Sequence, residues 1–291
     1  MALLRNWRYR LLFGLIRLFL PITPLFAITK DLERLVGELG VHGASRGILA
    51  RVSVPWQVQM APGSEQDVRA GSIIVYGTHG SILTPILLAA AIDRPDLKMI
   101  AADYIAKLGP NIAACSFPVY AAMRVTVKRA SDKGLVPRAM GWIASKSAAR
   151  SERDAARQRN RESLRRAAEH VRQGGGLIIA PESRNRREPW RTGLGTVVAE
   201  LAHDAARRPT YLVPWSIRGA SVTAIFQLLS ANPLVRRLGA RRFRHPVQVT
   251  LGEPMLVERV VAEVGDDPRE IAAYLERDYL ERALEDAKRL A

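Results

Sequence analysis

A histidine between two glycines is the first candidate for chemistry in this chain. His79 follows the β-branched run of residues 72–76, and Gly77 and Gly80 lie on either side of it. An imidazole changes protonation state near neutral pH and serves as a general base or acid wherever it reaches a reacting group. A structural core histidine is the alternative. Glycines directly after a strand favour a loop at the edge of a sheet, so we predict a functional His79.

Basic residues recur in two further segments that follow apolar runs. Arg129 ends the segment AMRVTVKR (122–129), and the segment PESRNR (181–186) contains Glu182, Ser183, Arg184 and Arg186. An arginine guanidinium is a planar fork that matches phosphate oxygens. The structural alternatives are a surface ion pair at Arg129 and a helix start at Glu182.

Other kinds of site have little support. Ser81 and Ser183 lack the Gly-x-Ser-x-Gly context of a nucleophilic serine. The five histidines lack ligand spacing with one another or with Cys115, so we expect neither a metal nor another bound cofactor. Cys115 is the single cysteine and lies in an apolar run, which is typical of a small buried hydrophobe.

The elements that must position these residues alternate between strands and helices. Strands are predicted at residues 72–76, 98–102, 124–127, 176–180, 211–217 and 247–251, and helices at residues 82–92, 148–172 and 268–291. Such alternation predicts an α/β domain around one central sheet. A chain of 291 residues that is 48% hydrophobic can bury one sizeable core. We therefore expect one domain at residues 31–291, with an appendage at residues 1–30.

The appendage has the composition of a helix at a membrane surface. Its first ten residues are basic and aromatic, and the apolar run of residues 11–28 follows them. Arg17, Pro21 and Pro24 interrupt this run, which argues against a transmembrane span and against a signal peptide. An amphipathic helix that docks on its own domain has the same periodicity and stays open as an alternative.

The formal net charge of +16 predicts an anionic partner. Aromatic residues make up only 6% of the chain, and it lacks zinc-finger and ribonucleoprotein signatures, so nucleic acid is not the expected partner. The arginine-rich helix at 148–172 is either a solvated face with paired charges or a docking face for an acidic carrier protein or lipid headgroups. A nucleic-acid binder that uses this helix would show steep salt dependence.

Four segments in order resemble the glycerolphosphate/lysophospholipid acyltransferase family. The segment YGTHGSILTP (76–85) is similar to the family's His-x4-Asp block, and AMRVTVKR (122–129) to its arginine block. The segment LIIAPESRNR (177–186) resembles the Phe-Pro-Glu-Gly-Thr-Arg block, and VPWSI (213–217) resembles a short strand with an embedded proline. The resemblance spans residues 71–255 and implies a mixed central sheet flanked by helices.

The resemblance implies acyl transfer from a coenzyme A or acyl-carrier-protein thioester to a hydroxyl of a lysophospholipid or related glycolipid acceptor. His79 would be the general base. Arg129, Glu182, Ser183 and either Arg184 or Arg186 would surround the acceptor headgroup. Because acceptor and product live in the bilayer, we expect a peripheral or monotopic protein on the anionic cytoplasmic face of the membrane.

Two positions depart from the family pattern. Thr84 stands where the family has aspartate, and an uncharged hydroxyl can orient the His79 ring without stabilising its protonated form. Either the chain is catalytically impaired and acts as a lipid-binding or scaffold protein, or another carboxylate such as Asp93 or Asp103 reaches the histidine. In the third block, Asn185 takes the place of the family's arginine.

Overall fold

The computed structural model describes residues 23–79, 83–120, 150–181, 188–202, 208–219, 237, 239–241, 243 and 245–289. The helices are α1 (Thr23–Arg51), α2 (Glu65–Ala70), α3 (Thr84–Ala91), α4 (Asp103–Ala106), α5 (Pro110–Ala114), α6 (Arg150–Arg172), α7 (Gly193–Ala202), α8 (Val257–Val264) and α9 (Pro268–Arg289). The strands are β1 (Trp56–Met60), β2 (Ser72–Tyr76), β3 (Lys98–Ala102), β4 (Ser116–Val119), β5 (Gly176–Ile179), β6 (Thr210–Arg218), β7 (Val247–Leu251) and β8 (Met255–Leu256).

These strands form one mixed sheet in the order β1-β7-β6-β2-β5-β3-β4, and β8 pairs with β6 beside this row. The strands β6, β2, β5, β3 and β4 are parallel to one another. Strands β7 and β8 pair antiparallel with β6, and β1 is parallel to β7. The predicted mixed central sheet with flanking helices is therefore confirmed.

Both faces of the central strands are covered by helices. Every residue of β2 and β5 is buried, as expected for parallel strands that lie between two helical layers. The chain moves from β2 to β3 in one direction across the sheet and from β4 to β5 in the other. Because parallel crossovers are right-handed, α3 and α6 lie on opposite faces. The contacts agree, since α3 packs on α1 whereas α6 packs on α7, which in turn packs on α9.

Most strand predictions are confirmed within the described residues. The predicted strands at 72–76, 98–102 and 247–251 match β2, β3 and β7. The strand predicted at 176–180 is one residue longer than β5, and the strand predicted at 211–217 is one residue shorter than β6 at each end. The predicted strand at 124–127 lies outside the described residues. Strands β1 and β4 were not predicted. The alternation of WQVQM is typical of a half-buried strand and was overlooked, whereas the proline of SFPV weakened the signal of β4, and a proline is tolerated in a strand at the edge of a sheet.

Helix α1 connects the N-terminal part of the chain to the sheet. It begins at Thr23, so Pro24 occupies the first turn. A proline is tolerated there because a backbone N–H at that position would have no partner within the helix. The helix bends at Gly40, whose φ of 69° lies in the left-handed region. Among the residues described, no helix is both long and apolar enough to cross a bilayer. The apolar run at 11–22 lies outside them, and the division of the chain at residue 30 stays a prediction.

A side chain of α1 caps the short helix α5. The two oxygens of the Glu33 carboxylate each accept a hydrogen bond, one from the backbone N–H of Asn111 and one from that of Ile112, both at 2.9 Å. The Asn111 side-chain amide donates back to the Glu33 carbonyl at 3.2 Å. These bonds satisfy N–H groups that a helix start leaves without partners, and they join α1 to the β3–β4 half of the sheet.

Candidate active site

The predicted site segments follow strands that are neighbours in the sheet. Tyr76 pairs with Ile179 at the ends of β2 and β5, so the loop that contains His79 lies beside Ala180 and Pro181. The crossovers after these two strands go to opposite faces of the sheet, since β2 leads to α3 and β5 leads to α7. Adjacent carboxyl ends whose connections diverge are the place where open α/β sheets bind their ligands.

His79 lies in the loop that leaves β2, three residues beyond Tyr76, and its side chain is exposed. The exposure rules out the alternative of a histidine buried in the core. An exposed imidazole at the carboxyl edge is accessible to a substrate. Its role as a base stays a prediction, because proton transfer is a property that the fold does not report.

Thr78, the residue directly before His79, is held at each of its polar groups. Its backbone N–H donates to the Tyr279 hydroxyl at 3.4 Å, and its own hydroxyl lies 3.1 Å from the same oxygen. The indole N–H of Trp215 donates to the Thr78 carbonyl at 3.3 Å. At Gly77, a Cβ atom would come within 2.6 Å of the Trp215 carbonyl oxygen, so the loop packs against β6 too closely for a side chain. The base of the His79 loop is therefore rigidly placed.

The aromatic rings of Tyr76, Trp190 and Tyr279, from three parts of the chain, pack together next to Thr78. Trp190 lies 5.2 Å from Tyr279 and 6.1 Å from Tyr76, measured between ring centroids. Burial raises the pKa of the Tyr76 hydroxyl far above its usual range, and the nearby Asp278 carboxylate raises that pKa further. The Tyr76 hydroxyl thus stays protonated and donates to Asp278 Oδ2 at 3.5 Å, an oxygen that also accepts from Arg282 Nε at 2.9 Å.

The loop after β5 is held by the same C-terminal helix. The backbone N–H of Trp190 donates to Glu276 Oε2 of α9 at 3.0 Å. The next residue, Arg191, donates its backbone N–H to the Pro181 carbonyl at 2.9 Å. Pro181 and Trp190 flank the predicted headgroup segment, so α9 contacts both loops at the carboxyl edge.

Thr84 is the first residue of α3 and is buried, with 3% of its surface exposed. A hydrogen bond between the side chains of Thr84 and His79 remains a prediction.

The two aspartates considered as substitutes for a carboxylate at position 84 lie at opposite edges of the sheet. Asp93 follows α3 and pairs with His42 Nε2 at 3.2 Å, beside the residues that precede β2. It is separated from the His79 loop by the length of β2, about 16 Å. Asp103 follows β3 at the carboxyl edge. Strand β3 is two strands from β2 in the sheet, a separation of about 10 Å between the two strands. The Asp103 carboxylate accepts a hydrogen bond from Lys107 Nζ at 2.7 Å. Of the two, Asp103 shares an edge with His79.

The predicted headgroup residues fall outside the part of the chain that the structure describes. These are Arg129, Glu182, Ser183, Arg184 and Arg186. Pro181, the last described residue before Glu182, follows β5 at the carboxyl edge. Their roles stay predictions. Among the described residues, no group of histidine, cysteine, aspartate and glutamate side chains has the arrangement of a metal site.

Sequence reasoning did not find the residues that hold the two loops. No role at the site was predicted for Tyr279, Trp215, Glu276 or Trp190. The partner of Tyr279 is 201 residues away along the chain. A long-range hydrogen bond of this kind leaves no periodic signal in a single sequence.

The chain matches no family model and no curated protein by sequence. Among solved structures, it is similar to the crystal structure of the 1-acyl-sn-glycerophosphate (LPA) acyltransferase, PlsC, from Thermotoga maritima. The two are 14% identical, and the match covers 89% of this chain and 79% of that chain with a TM-score of 0.44. At this identity and TM-score, the activity has to be argued from the residues of this chain.

Proposed function

We propose that the chain is an acyltransferase that moves a fatty acyl group from a coenzyme A or acyl-carrier-protein thioester to a hydroxyl of a lysophospholipid or related glycolipid. The observation that carries the proposal is the exposed His79 directly after the hydrogen-bonded Thr78, at the carboxyl edge where the connections after β2 and β5 diverge. The order of the motifs in the sequence, from the His-x4-Thr segment to the PESRNR segment, supports the same activity.

In the proposed reaction, His79 takes the proton of the acceptor hydroxyl as that oxygen attacks the thioester carbonyl carbon. A C–O bond forms, and the tetrahedral intermediate then collapses with cleavage of the C–S bond. The thiolate leaves with the electron pair and takes the proton back from the imidazolium. The reaction therefore yields an ester and a free thiol without any other reactant.

The proposed place of action is the cytoplasmic face of a membrane. The net charge of +16 favours an anionic lipid surface. The basic and apolar segment at residues 1–30 has the composition of an interfacial helix, and both acceptor and product are lipids.

The neutral Thr84 favours a second candidate function. A histidine without a charged partner is a weaker catalyst, because its protonated form is less stabilised. A chain that keeps the fold and the basic surface but lacks activity would be a lipid-binding or scaffold protein at the membrane.

The test is acyl transfer by the purified full chain, with acyl-coenzyme A or acyl-carrier protein as donor and lysophosphatidic acid in mixed micelles as acceptor, followed by mass spectrometry of the diacyl product. We expect His79→Ala to lower kcat by about 10²–10⁴-fold, since that is the usual contribution of a general base. His245→Ala is the control, because His245 is also exposed and lies before β7.

Equal activity of His79→Ala and the unaltered chain would contradict the proposal. Inactivity of every form toward all donors and lysolipids, together with vesicle binding that His79→Ala leaves intact, would favour the scaffold.

A further inference from the structure

The hydroxyl of Tyr279 is buried against the loop that carries His79. Only 7% of the Tyr279 surface is exposed. Its oxygen lies 3.1 Å from the Thr78 hydroxyl and 3.4 Å from the Thr78 backbone nitrogen. One oxygen on the C-terminal helix thus meets two polar groups of the residue that precedes the predicted base.

Packing alone does not require this hydroxyl. The Tyr279 ring already contacts the rings of Trp190 and Tyr76, and a phenylalanine would keep those contacts. A buried hydroxyl costs free energy unless it is hydrogen-bonded, so its presence here is matched to the polar groups of Thr78. The third polar group of Thr78, its carbonyl oxygen, is bound by Trp215.

A second contact from the same helix holds the neighbouring loop. Glu276 lies one turn before Tyr279 and accepts from the Trp190 backbone, and Arg191 binds the Pro181 carbonyl. The start of α9 packs closely on α7, because a Cβ atom at Gly195 of α7 would overlap the Pro268 carbonyl oxygen. One helix therefore sets the placement of the loops after β2 and β5 relative to each other.

We infer that Tyr279 is a positioning residue of the active site: its hydroxyl fixes Thr78 and thereby aims the His79 imidazole at the carboxyl edge. The inference rests on the proposed acyl transfer. Loss of the hydroxyl leaves the substrate contacts in place and loosens the base. Misplacement of a base lowers turnover more than it lowers substrate affinity, since its contribution is made in the transition state.

The test compares Tyr279→Phe with Tyr274→Phe. Tyr274 lies on the same helix, is partly buried, and packs its ring beside Arg277, so it is a control for loss of one tyrosine hydroxyl from α9. We expect Tyr279→Phe to lower kcat about tenfold with unchanged KM values, as loss of one oriented hydrogen bond would do, and Tyr274→Phe to keep kcat.

Two measurements report the position of the loop without turnover. In protein with ¹³C-labelled histidine, Tyr279→Phe should shift the His79 ring resonance, and the other four of the five histidines serve as internal references. Hydrogen exchange at the Thr78 amide should be faster in Tyr279→Phe, because that N–H loses its acceptor.

Variants of Thr78 test the same bond from its other side. Thr78→Ser keeps the hydroxyl and should keep kcat. Thr78→Val removes the hydroxyl and should lower kcat. Thr78→Val should lower kcat no further in a Tyr279→Phe background, because interacting residues are not additive. These variants also decide the matter if Tyr279→Phe fails to fold.

An active chain in which Tyr279→Phe keeps its kcat, or in which both loop measurements stay unchanged, would overturn the inference. An inactive wild-type chain would instead overturn the proposed acyl transfer. In that case the Thr78 exchange rate and the His79 resonance alone would decide whether Tyr279 positions the loop.

Discussion

The loops at the two ends of β2 and β5, at the carboxyl edge and at the amino edge of the sheet, are held by different kinds of contact. At the carboxyl edge, the loops after these strands are bound by side chains from β6 and α9, and His79 stays exposed. At the amino edge, the buried Arg94 guanidinium donates to the carbonyl of Gly71 before β2 and, at 2.7 Å, to that of Gly174 before β5. The Asp96 carboxylate pairs with the same guanidinium at 2.9 and 2.6 Å.

The contacts at the amino edge stabilise the fold, whereas the carboxyl edge carries the side chain proposed to react. Arg94 uses its charge on backbone carbonyls and one carboxylate, and it is covered by the protein. The carboxyl edge places its hydrogen bonds beneath the surface and presents an imidazole above them. A buried guanidinium therefore binds the residues before β2 and β5, whereas an exposed imidazole follows β2 at the other end.

Arg94→Met should give the largest stability effect at the amino edge. The thioether chain fills a similar volume but leaves the carbonyls of Gly71 and Gly174 without a donor, which we expect to lower the free energy of unfolding by about 3 kcal/mol. Urea denaturation would measure it, with Arg69→Met as the control because Arg69 is exposed and its pair with Glu65 is at the surface. Equal stability of the two variants would remove the distinction between the edges.

Thr84→Asp should have the next largest effect, at the carboxyl edge. A carboxylate in the first turn of α3 is favoured by the helix N-terminus and can stabilise the protonated ring of His79. We expect kcat about tenfold above that of Thr84→Asn, which has nearly the same shape without the charge. Equal turnover of the two variants would mean that position 84 does not act through charge.

Asp96→Asn should give the smallest effect and the clearest pH signature. Hydrogen bonds from Arg94 hold the pKa of the Asp96 carboxyl below its ordinary value, so its contribution to stability is full above the unfolded-state pKa of about 3.9 and is lost as pH falls through the lower folded-state value. Because the Asp96 side chain is 41% exposed, solvent screening limits the loss at pH 7 to about 1 kcal/mol.

Denaturation of Asp96→Asn and the unaltered chain at several pH values would measure this contribution. The two free energies of unfolding should converge as the solution becomes more acidic than the folded-state pKa. A difference that stays constant down to the most acidic condition would show that the charge of Asp96 is not the source of the stabilisation.

The sequence predicted the parts of the fold that have strong local patterns. The strands β2, β3 and β7 were predicted with correct bounds, because short runs of apolar and β-branched residues between turn residues identify strands without reference to the rest of the chain. Strand β1 was missed although WQVQM alternates between apolar and polar residues, as a strand with one exposed face does.

The sequence predicts site residues only where chemistry and local pattern coincide. His79 was proposed because it is a reactive side chain in a glycine-flanked loop after a strand, and the structure shows it exposed there. Tyr279 and Arg94 were not, because their roles depend on partners that are distant in sequence: Thr78 in the first case, Gly71 and Gly174 in the second. Only the packed sheet brings those groups within hydrogen-bond distance.

The Glu33 cap has a mechanical consequence. It joins α1 to α5 at a point before the bend at Gly40, so the bend cannot act as a swivel between the start of α1 and the β3–β4 half of the sheet. If the segment before Thr23 were attached to a membrane, the start of α1 and the sheet would therefore move together. The direction in which the His79 edge points would then be set by the tilt of α1.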